Sequence, residues 1–281
     1  MRFTRLKSTL LLASFVLFAV ACNNSAKSKK GTTSDGKEAS VDVEVFDVVK
    51  IKDQIVEIIQ NSPEAVEVAK MLSEAGASYI LDLTVPAEDA EKLMTTTQMS
   101  IGLGMYAFDF QYANIYRRGD VVSKIGQVEK QLIVKLGLEG QLTSPENYIE
   151  RIKANADNKD SVDYLVTQAM NFANQQLTTG DHPDVAALSV IGANVEALYV
   201  LSQLSLLAAD NAELIKIMSA QKERAKTVFQ LLELMSGDET VKPYYEKMVP
   251  VFNYFEGLTT FGDKELKEIS PMIEALRSSM L

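Results

Sequence analysis

The sequence contains only one cysteine and one histidine. A lone cysteine, Cys22, excludes an internal disulfide, so in an exported protein this residue needs another explanation. The histidine, His182, precedes a proline, and the chain has no Glu-x-x-His sequence. Carboxylate-bridged metal sites in helical bundles use that motif twice. We therefore expect no metal site and no cofactor.

Common catalytic motifs and an excess of basic residues are also missing. The nucleophile motif Gly-x-Ser-x-Gly does not occur, and Gly102-Leu103-Gly104 lies in a helical stretch instead of following a strand, so it does not predict a phosphate-binding loop. The chain has 28 lysines and arginines and 38 acidic residues, which gives a net charge of −10. Because so acidic a surface repels a phosphate backbone, we expect no nucleic-acid partner.

The N-terminus has the pattern of an export signal. Arg2, Arg5 and Lys7 precede an apolar run at 10–20, which ends in small residues. The run is short for a membrane span and has the composition of a cleaved signal. The alternative of an ordinary secretory signal, cut near Ala21, leaves a free thiol.

Residues 19–22, Ala-Val-Ala-Cys, resemble the lipobox of bacterial lipoproteins. The resemblance implies a signal peptide at 1–21 and lipid attachment at Cys22. Several acyl chains on one residue give stable membrane anchoring. Residues 22–42 show no apolar periodicity and are expected to form a flexible tether.

From Val41 onward, apolar residues recur at helical spacing. The sequence predicts an all-α fold with about ten helices, in an antiparallel bundle or a helical-hairpin array. Ser78–Val85 has no second strand to pair with, so an apolar loop laid over the helices is expected there. We expect one domain at 43–281, with a division into halves 43–179 and 183–281 as an alternative. The predicted helices are 43–61, 63–76, 86–119, 120–136, 146–154, 161–178, 184–208, 212–235, 239–256 and 263–280.

Residues 99–119 are rich in aromatic side chains and contain one acid, Asp109, within an apolar surface. An ionised carboxylate is costly to bury alone, so Asp109 must be paired, hydrogen-bonded or protonated. Tyr106, Tyr112 and Tyr116 lie within helical reach of Asp109. Arg117 or Arg118 would reach it by folding back. Two interpretations remain: a structural acid that ties this helix to a neighbour, or part of a ligand pocket between helices.

A second apolar helix repeats parts of this pattern. Glu196 and Tyr199 are three residues apart, as are Tyr106 and Asp109, so each pair shares one helical face. A duplicated helical unit or chance similarity would explain the repeat. In the first helix, Gly102 and Gly104 predict a kink or the close approach of a neighbouring helix. The charged residues at 222–226 are expected to face solvent.

Residues 104–112 (Gly-Met-Tyr-Ala-Phe-Asp-Phe-Gln-Tyr) and 192–199 (Gly-Ala-Asn-Val-Glu-Ala-Leu-Tyr) resemble the two signature helices of a family of uncharacterised, mostly helical lipoproteins from Bacteroidota. Gln221-Lys222 also resembles that family's pattern. The resemblance implies an all-helical domain behind a lipid anchor, and it brings no known activity. The candidate pocket residues are Tyr106, Asp109, Tyr112, Glu196, Tyr199 and Gln221.

Three functions are compatible with these features. The first is a non-enzymatic binding or scaffold module, anchored by lipid in the cell envelope, most simply on the outer membrane facing the periplasm. Its partner would be an envelope protein or a small ligand. The second is an enzyme that uses Asp109 and Glu196 as an acid–base pair, and the third is a purely structural envelope component. Sealed burial of both acids would exclude the acid–base pair.

Overall fold

All regular structure in the described part of the chain is helical. The computed structural model describes residues 43–142, 146–155, 157–180 and 182–281. The predicted signal peptide, Cys22 and the tether at 22–42 lie outside these residues. The α-helices are α1 (Val43–Gln60), α2 (Val66–Glu74), α3 (Thr96–Ile115), α4 (Gly119–Lys135), α5 (Glu139–Leu142), α6 (Tyr148–Ala154), α7 (Lys159–Thr179), α8 (Pro183–Leu207), α9 (Ala212–Ser219), α10 (Lys222–Leu234), α11 (Lys242–Gly257) and α12 (Asp263–Ser278). Two 3₁₀ helices, Leu81–Leu83 and Ala87–Lys92, precede α3. The predicted all-α fold is confirmed.

Helices α3 and α8 form the centre of the domain and pack directly against each other. Both are apolar on nearly all sides, which is the pattern of a helix surrounded by other helices. α2 and α4 pack against α3, while α1, α7, α10 and α12 pack against α8. α8 is long and apolar enough to span a membrane, but 78% of that stretch is buried inside the protein. It is therefore a core helix.

Two glycines allow α3 and α8 to approach closely. A Cβ atom on Gly104 would clash with the Ser189 carbonyl oxygen and lie 2.9 Å from the Ala193 nitrogen. A Cβ atom on Gly192 would clash with the Ile101 carbonyl oxygen. Each glycine thus faces the backbone of the other helix. The predicted close approach is confirmed at Gly104, whereas Gly102 faces only the Leu93 side chain. The Ser189 hydroxyl also donates a hydrogen bond to the Ser100 carbonyl across the contact between α3 and α8 (3.0 Å).

Two predicted helices are wrong because local capping divides them. The predicted helix 86–119 consists of the 3₁₀ helix Ala87–Lys92 and the separate helix α3. Thr95 caps α3 in a reciprocal capping box with Gln98, which begins a new helix there. The predicted helix 212–235 is likewise divided into α9 and α10. The Gln221 side chain donates to the Ile217 carbonyl (2.7 Å) at that division.

The loop predicted at Ser78–Val85 is confirmed. It contains only the short 3₁₀ helix Leu81–Leu83, and the described residues contain no strand. The loop begins after Gly76, which lies just past the end of α2. The φ of Gly76, +75°, is a backbone conformation that glycine adopts at little cost. The chain then runs back along α3.

Candidate functional site

A segment of irregular backbone, residues 77–86, lies along α3 and is hereafter called the strap. Side chains from one face of α3 bind its backbone, since residues three or four apart lie on the same side of a helix. The strap hydrogen bonds are Tyr116 Oη to the Ala77 carbonyl (2.7 Å), Tyr112 Oη to the Ser78 carbonyl (3.2 Å), Ile80 N–H to Tyr112 Oη (3.1 Å), Val85 N–H to Asp109 Oδ2 (2.7 Å) and Tyr106 Oη to the Pro86 carbonyl (2.8 Å). These bonds satisfy backbone groups that belong to no long helix.

The tyrosines of α3 remain protonated hydroxyl donors in this arrangement. Burial raises the pKa of Tyr106 and of Tyr112 above the ordinary value of 10.0. Their rings are fully buried, and Tyr112 also contacts the ring of Tyr79 on the strap, with ring centroids 4.7 Å apart. Aromatic packing and hydrogen bonding therefore hold the strap together.

Asp109 is the acid at the centre of this face, and its side chain has no solvent exposure. Oδ2 accepts the Val85 N–H, whereas the buried Oδ1 has no hydrogen-bond partner. Burial raises the pKa of Asp109 well above its ordinary value, and the charge of Glu196 raises it further. The Val85 N–H and the Arg277 charge oppose this shift. The net effect favours the neutral carboxyl group.

Glu196 has a different environment, because a guanidinium group holds both of its oxygens. Arg277 donates from Nε to Oε2 and from Nη2 to Oε1, each at 2.7 Å. Such bidentate geometry is typical of a strong arginine–carboxylate pair. Burial raises the pKa of Glu196, and the Arg277 charge opposes that shift. The guanidinium also lies 4.1 Å from the ring centroid of Tyr199.

Arg277 connects Glu196 to the strap. Its Nη2 donates to the Leu83 carbonyl (3.4 Å), although the main interaction is with Glu196. Burial lowers the pKa of Arg277, but Glu196 outweighs burial and the pKa is raised overall. The guanidinium therefore stays charged. The expectation that Arg117 or Arg118 reaches Asp109 is wrong, since Arg118 instead stacks over Tyr79 (5.0 Å).

The structure brings five of the six predicted pocket residues together. Tyr106, Asp109 and Tyr112 lie on α3 under the strap, and Glu196 and Tyr199 lie on α8 beside Arg277. The prediction is wrong for the sixth, Gln221, which belongs to a separate cluster. It orients Arg224, whose Nε donates to Gln221 Oε1 (2.8 Å).

The prediction that the charged residues at 222–226 face solvent is wrong for Arg224, which is only 3% exposed. Arg224 Nη1 donates to Asn194 Oδ1 (2.6 Å) and to the Pro63 carbonyl (3.2 Å). These bonds join α10, α8 and the chain before α2. Burial lowers the pKa of Arg224 to about 10, so it remains charged at neutral pH. This second cluster is a structural junction.

Sequence reasoning missed Arg277, the partner that determines the state of Glu196. A signal was present, because Arg277 follows Ile273 by four residues and therefore lies on the buried stripe of α12. Its partner is 81 residues earlier in the chain, and no local pattern identifies a contact at that separation. The strap's backbone role was missed for the same reason.

The arrangement is suited to holding structure and offers no access to a substrate. Asp109 and Glu196 have no exposed surface. Neither lines the surface depression between α11 and α12 or the one between α6 and α7. Within the described residues, no group of three or more His, Cys, Asp or Glu side chains is placed to bind a metal ion. The polar cluster therefore connects structural elements inside the domain.

Comparisons of the chain with protein-family models, with curated proteins and with solved structures give no significant match. The resemblance to helical Bacteroidota lipoproteins therefore stays a prediction.

Proposed function

We propose that this protein is a lipid-anchored, non-enzymatic binding or scaffold module of the cell envelope, on the outer membrane and facing the periplasm. The observation that carries the proposal is that Asp109 and Glu196 are both used inside the domain, one to bind the strap and the other to bind α12. An acid–base pair needs contact with a substrate. With both acids sealed, the outer surfaces of the helices remain for interaction.

A surface groove between α11 and α12 is the candidate binding surface. It is an open depression with a volume of about 420 Å³. Its lining consists of Pro250, Pro271, Met272 and Ala275, with Glu246, Lys247 and Glu268. An apolar surface with two carboxylates and one amine fits an apolar partner group that carries positive charge nearby.

The groove is tested by photo-crosslinking in the full-length, membrane-bound protein. A benzophenone amino acid at Met272 is expected to give a discrete adduct, and Ala275→Glu is expected to abolish it by placing a charge in the groove. Ala212→Glu, on the exposed start of α9, is the matched control and is expected to preserve the adduct. No adduct, or one insensitive to Ala275→Glu, would contradict this binding surface.

The anchor makes a separate prediction. Cys22→Ser removes the acylated thiol, so the protein is expected to move from the membrane fraction to the soluble periplasmic fraction. Fractionation followed by immunoblotting measures this change. The wild type and a Ser25→Ala variant in the tether serve as controls. Retention in the membrane fraction of a Cys22→Ser chain from which residues 1–21 have been cleaved would show that the cysteine is not the anchor.

A further inference from the structure

The strap is held to the domain in two ways: its Leu83 and Val85 side chains are buried in the core, and its backbone hydrogen-bonds to other elements. Its backbone hydrogen bonds to the rest of the domain are made largely by side chains of α3, with Arg277 contributing at Leu83. Within the strap, Leu83 N–H and Thr84 N–H bond back to Ile80 and Leu81. A segment held in this way can separate from the core without breaking any long helix.

The bond at Asp109 is the weak point of this attachment. Its unpartnered Oδ1 is buried, so a neutral carboxyl group lacks an acceptor for its O–H and an ionised one lacks a second donor. Neither protonation state satisfies the group. Separation of the strap would let water reach both oxygens, which removes this cost.

The charged and titratable groups around Asp109 determine how it responds to pH. Tyr106 and Tyr112 lie on its own helix, Tyr79 lies on the strap, Glu196 lies on α8 and Arg277 lies on α12. The tyrosines have raised pKa values and remain neutral. Arg277 donates to Glu196 through Nε and Nη2. The nearest anionic group therefore disfavours a charge on Asp109.

We propose that residues 77–86 form a proton-coupled strap, which is closed over α3 while Asp109 is protonated and opens when this carboxyl group ionises. Opening would expose the polar face formed by Tyr106, Asp109 and Tyr112. The strap would thus have two states, closed and open, and the equilibrium between them would depend on the protonation of Asp109.

The sign of the pH dependence follows from linkage. Asp109 has a raised pKa in the closed form and an ordinary pKa, near 3.8, once it is hydrated. The closed form is fully favoured below the ordinary value. Above it, the open form holds fewer protons, so the opening constant rises about tenfold per pH unit until the raised pKa is reached. Beyond that point the constant is flat.

Native-state hydrogen exchange at the amides of Ile80 and Val85, between pH 4.5 and 6.5, tests the proposal. Chemical exchange catalysed by hydroxide gives a tenfold rate increase per pH unit, and coupled opening adds another tenfold. We expect a hundredfold increase per unit at these two amides wherever the pH in this interval lies below the raised pKa of Asp109. We also expect them to exchange faster than buried amides of α8, since the strap opens on its own.

Three variants separate ionisation of Asp109 from a general loosening of the strap. Asp109→Asn accepts the Val85 N–H but cannot ionise, and it is expected to reduce the slope to tenfold per unit. Tyr106→Phe removes the bond to Pro86 and is expected to raise the rate at every pH while keeping the hundredfold slope. Glu129→Gln replaces another acid whose pKa is raised by burial, to about 8, and is expected to leave the slope unchanged.

A tenfold slope in the wild type would overturn the proposal, and this measurement does not depend on any variant folding. Exchange of the strap amides at the same rate as α8 would also overturn it, because the strap would then open only with the whole domain. A hundredfold slope that persists in Asp109→Asn would assign the proton to another group.

Discussion

Arg277→Met is expected to lower the free energy of unfolding by about 3–5 kcal/mol, because it leaves the buried Glu196 carboxylate without its partner. Glu196 has no exposed surface, and Arg277 supplies hydrogen bonds to both of its oxygens. Methionine retains apolar volume in the same place, so the loss reflects charge more than packing. Urea unfolding at neutral pH, followed by circular dichroism, measures the change.

The double variant Glu196→Leu with Arg277→Met is the control. It removes both charges, and replacing a whole buried pair by apolar side chains is often near neutral in stability. We therefore expect the double variant to recover most of the loss. The loss in Arg277→Met is also expected to shrink on acidification, since burial raises the pKa of Glu196 and a protonated carboxyl group needs no counter-charge. A single variant as stable as the wild type would contradict the assigned role of Arg277.

Gly104→Ala and Gly192→Ala are each expected to cost about 3 kcal/mol, since overpacking forces the two central helices apart. The added Cβ atom clashes in both cases with backbone of the facing helix, Ser189 for Gly104 and Ile101 for Gly192. Backbone of a packed helix cannot rotate away as a side chain would. The same urea unfolding assay reports the effect.

Gly126→Ala in α4 is the matched control for these two variants. Its added Cβ atom would meet only the Phe110 ring at 3.6 Å, an ordinary contact. Alanine is favoured over glycine inside a helix by about 1 kcal/mol, so this variant is expected to be as stable as the wild type or more stable. Equal stability of Gly104→Ala and Gly126→Ala would show that the contact between α3 and α8 is looser than described.

Much of the candidate site could be predicted from local spacing. Tyr106, Asp109 and Tyr112 share one face of a helix, and Glu196 and Tyr199 share a face of another, because three- and four-residue separations are neighbours on a helical surface. The prediction that Asp109 must be hydrogen-bonded or protonated followed from the cost of burying a charge. The Val85 N–H and the raised pKa agree with it.

Other parts depended on contacts that no local pattern encodes. The partners of α3 are backbone groups of an irregular segment 20 to 39 residues earlier in the chain. Nearly every residue type has the same backbone N–H and C=O groups. The residues of the strap therefore do not reveal which side chains will bind its backbone. Gln221 was assigned to the wrong cluster because its helical neighbour Arg224 turns inward toward α8.

By itself, the sequence determined the helical class, the apolar character of the two central helices and the presence of a buried acid among tyrosines. Periodicity and the cost of isolated charge act over a few residues, and both can be read along the chain. Only the tertiary structure decided which groups neutralise or bind those acids. Arg277 reaches Glu196, and the strap reaches Asp109, through packing of segments far apart in sequence, and that packing closes the cluster to solvent.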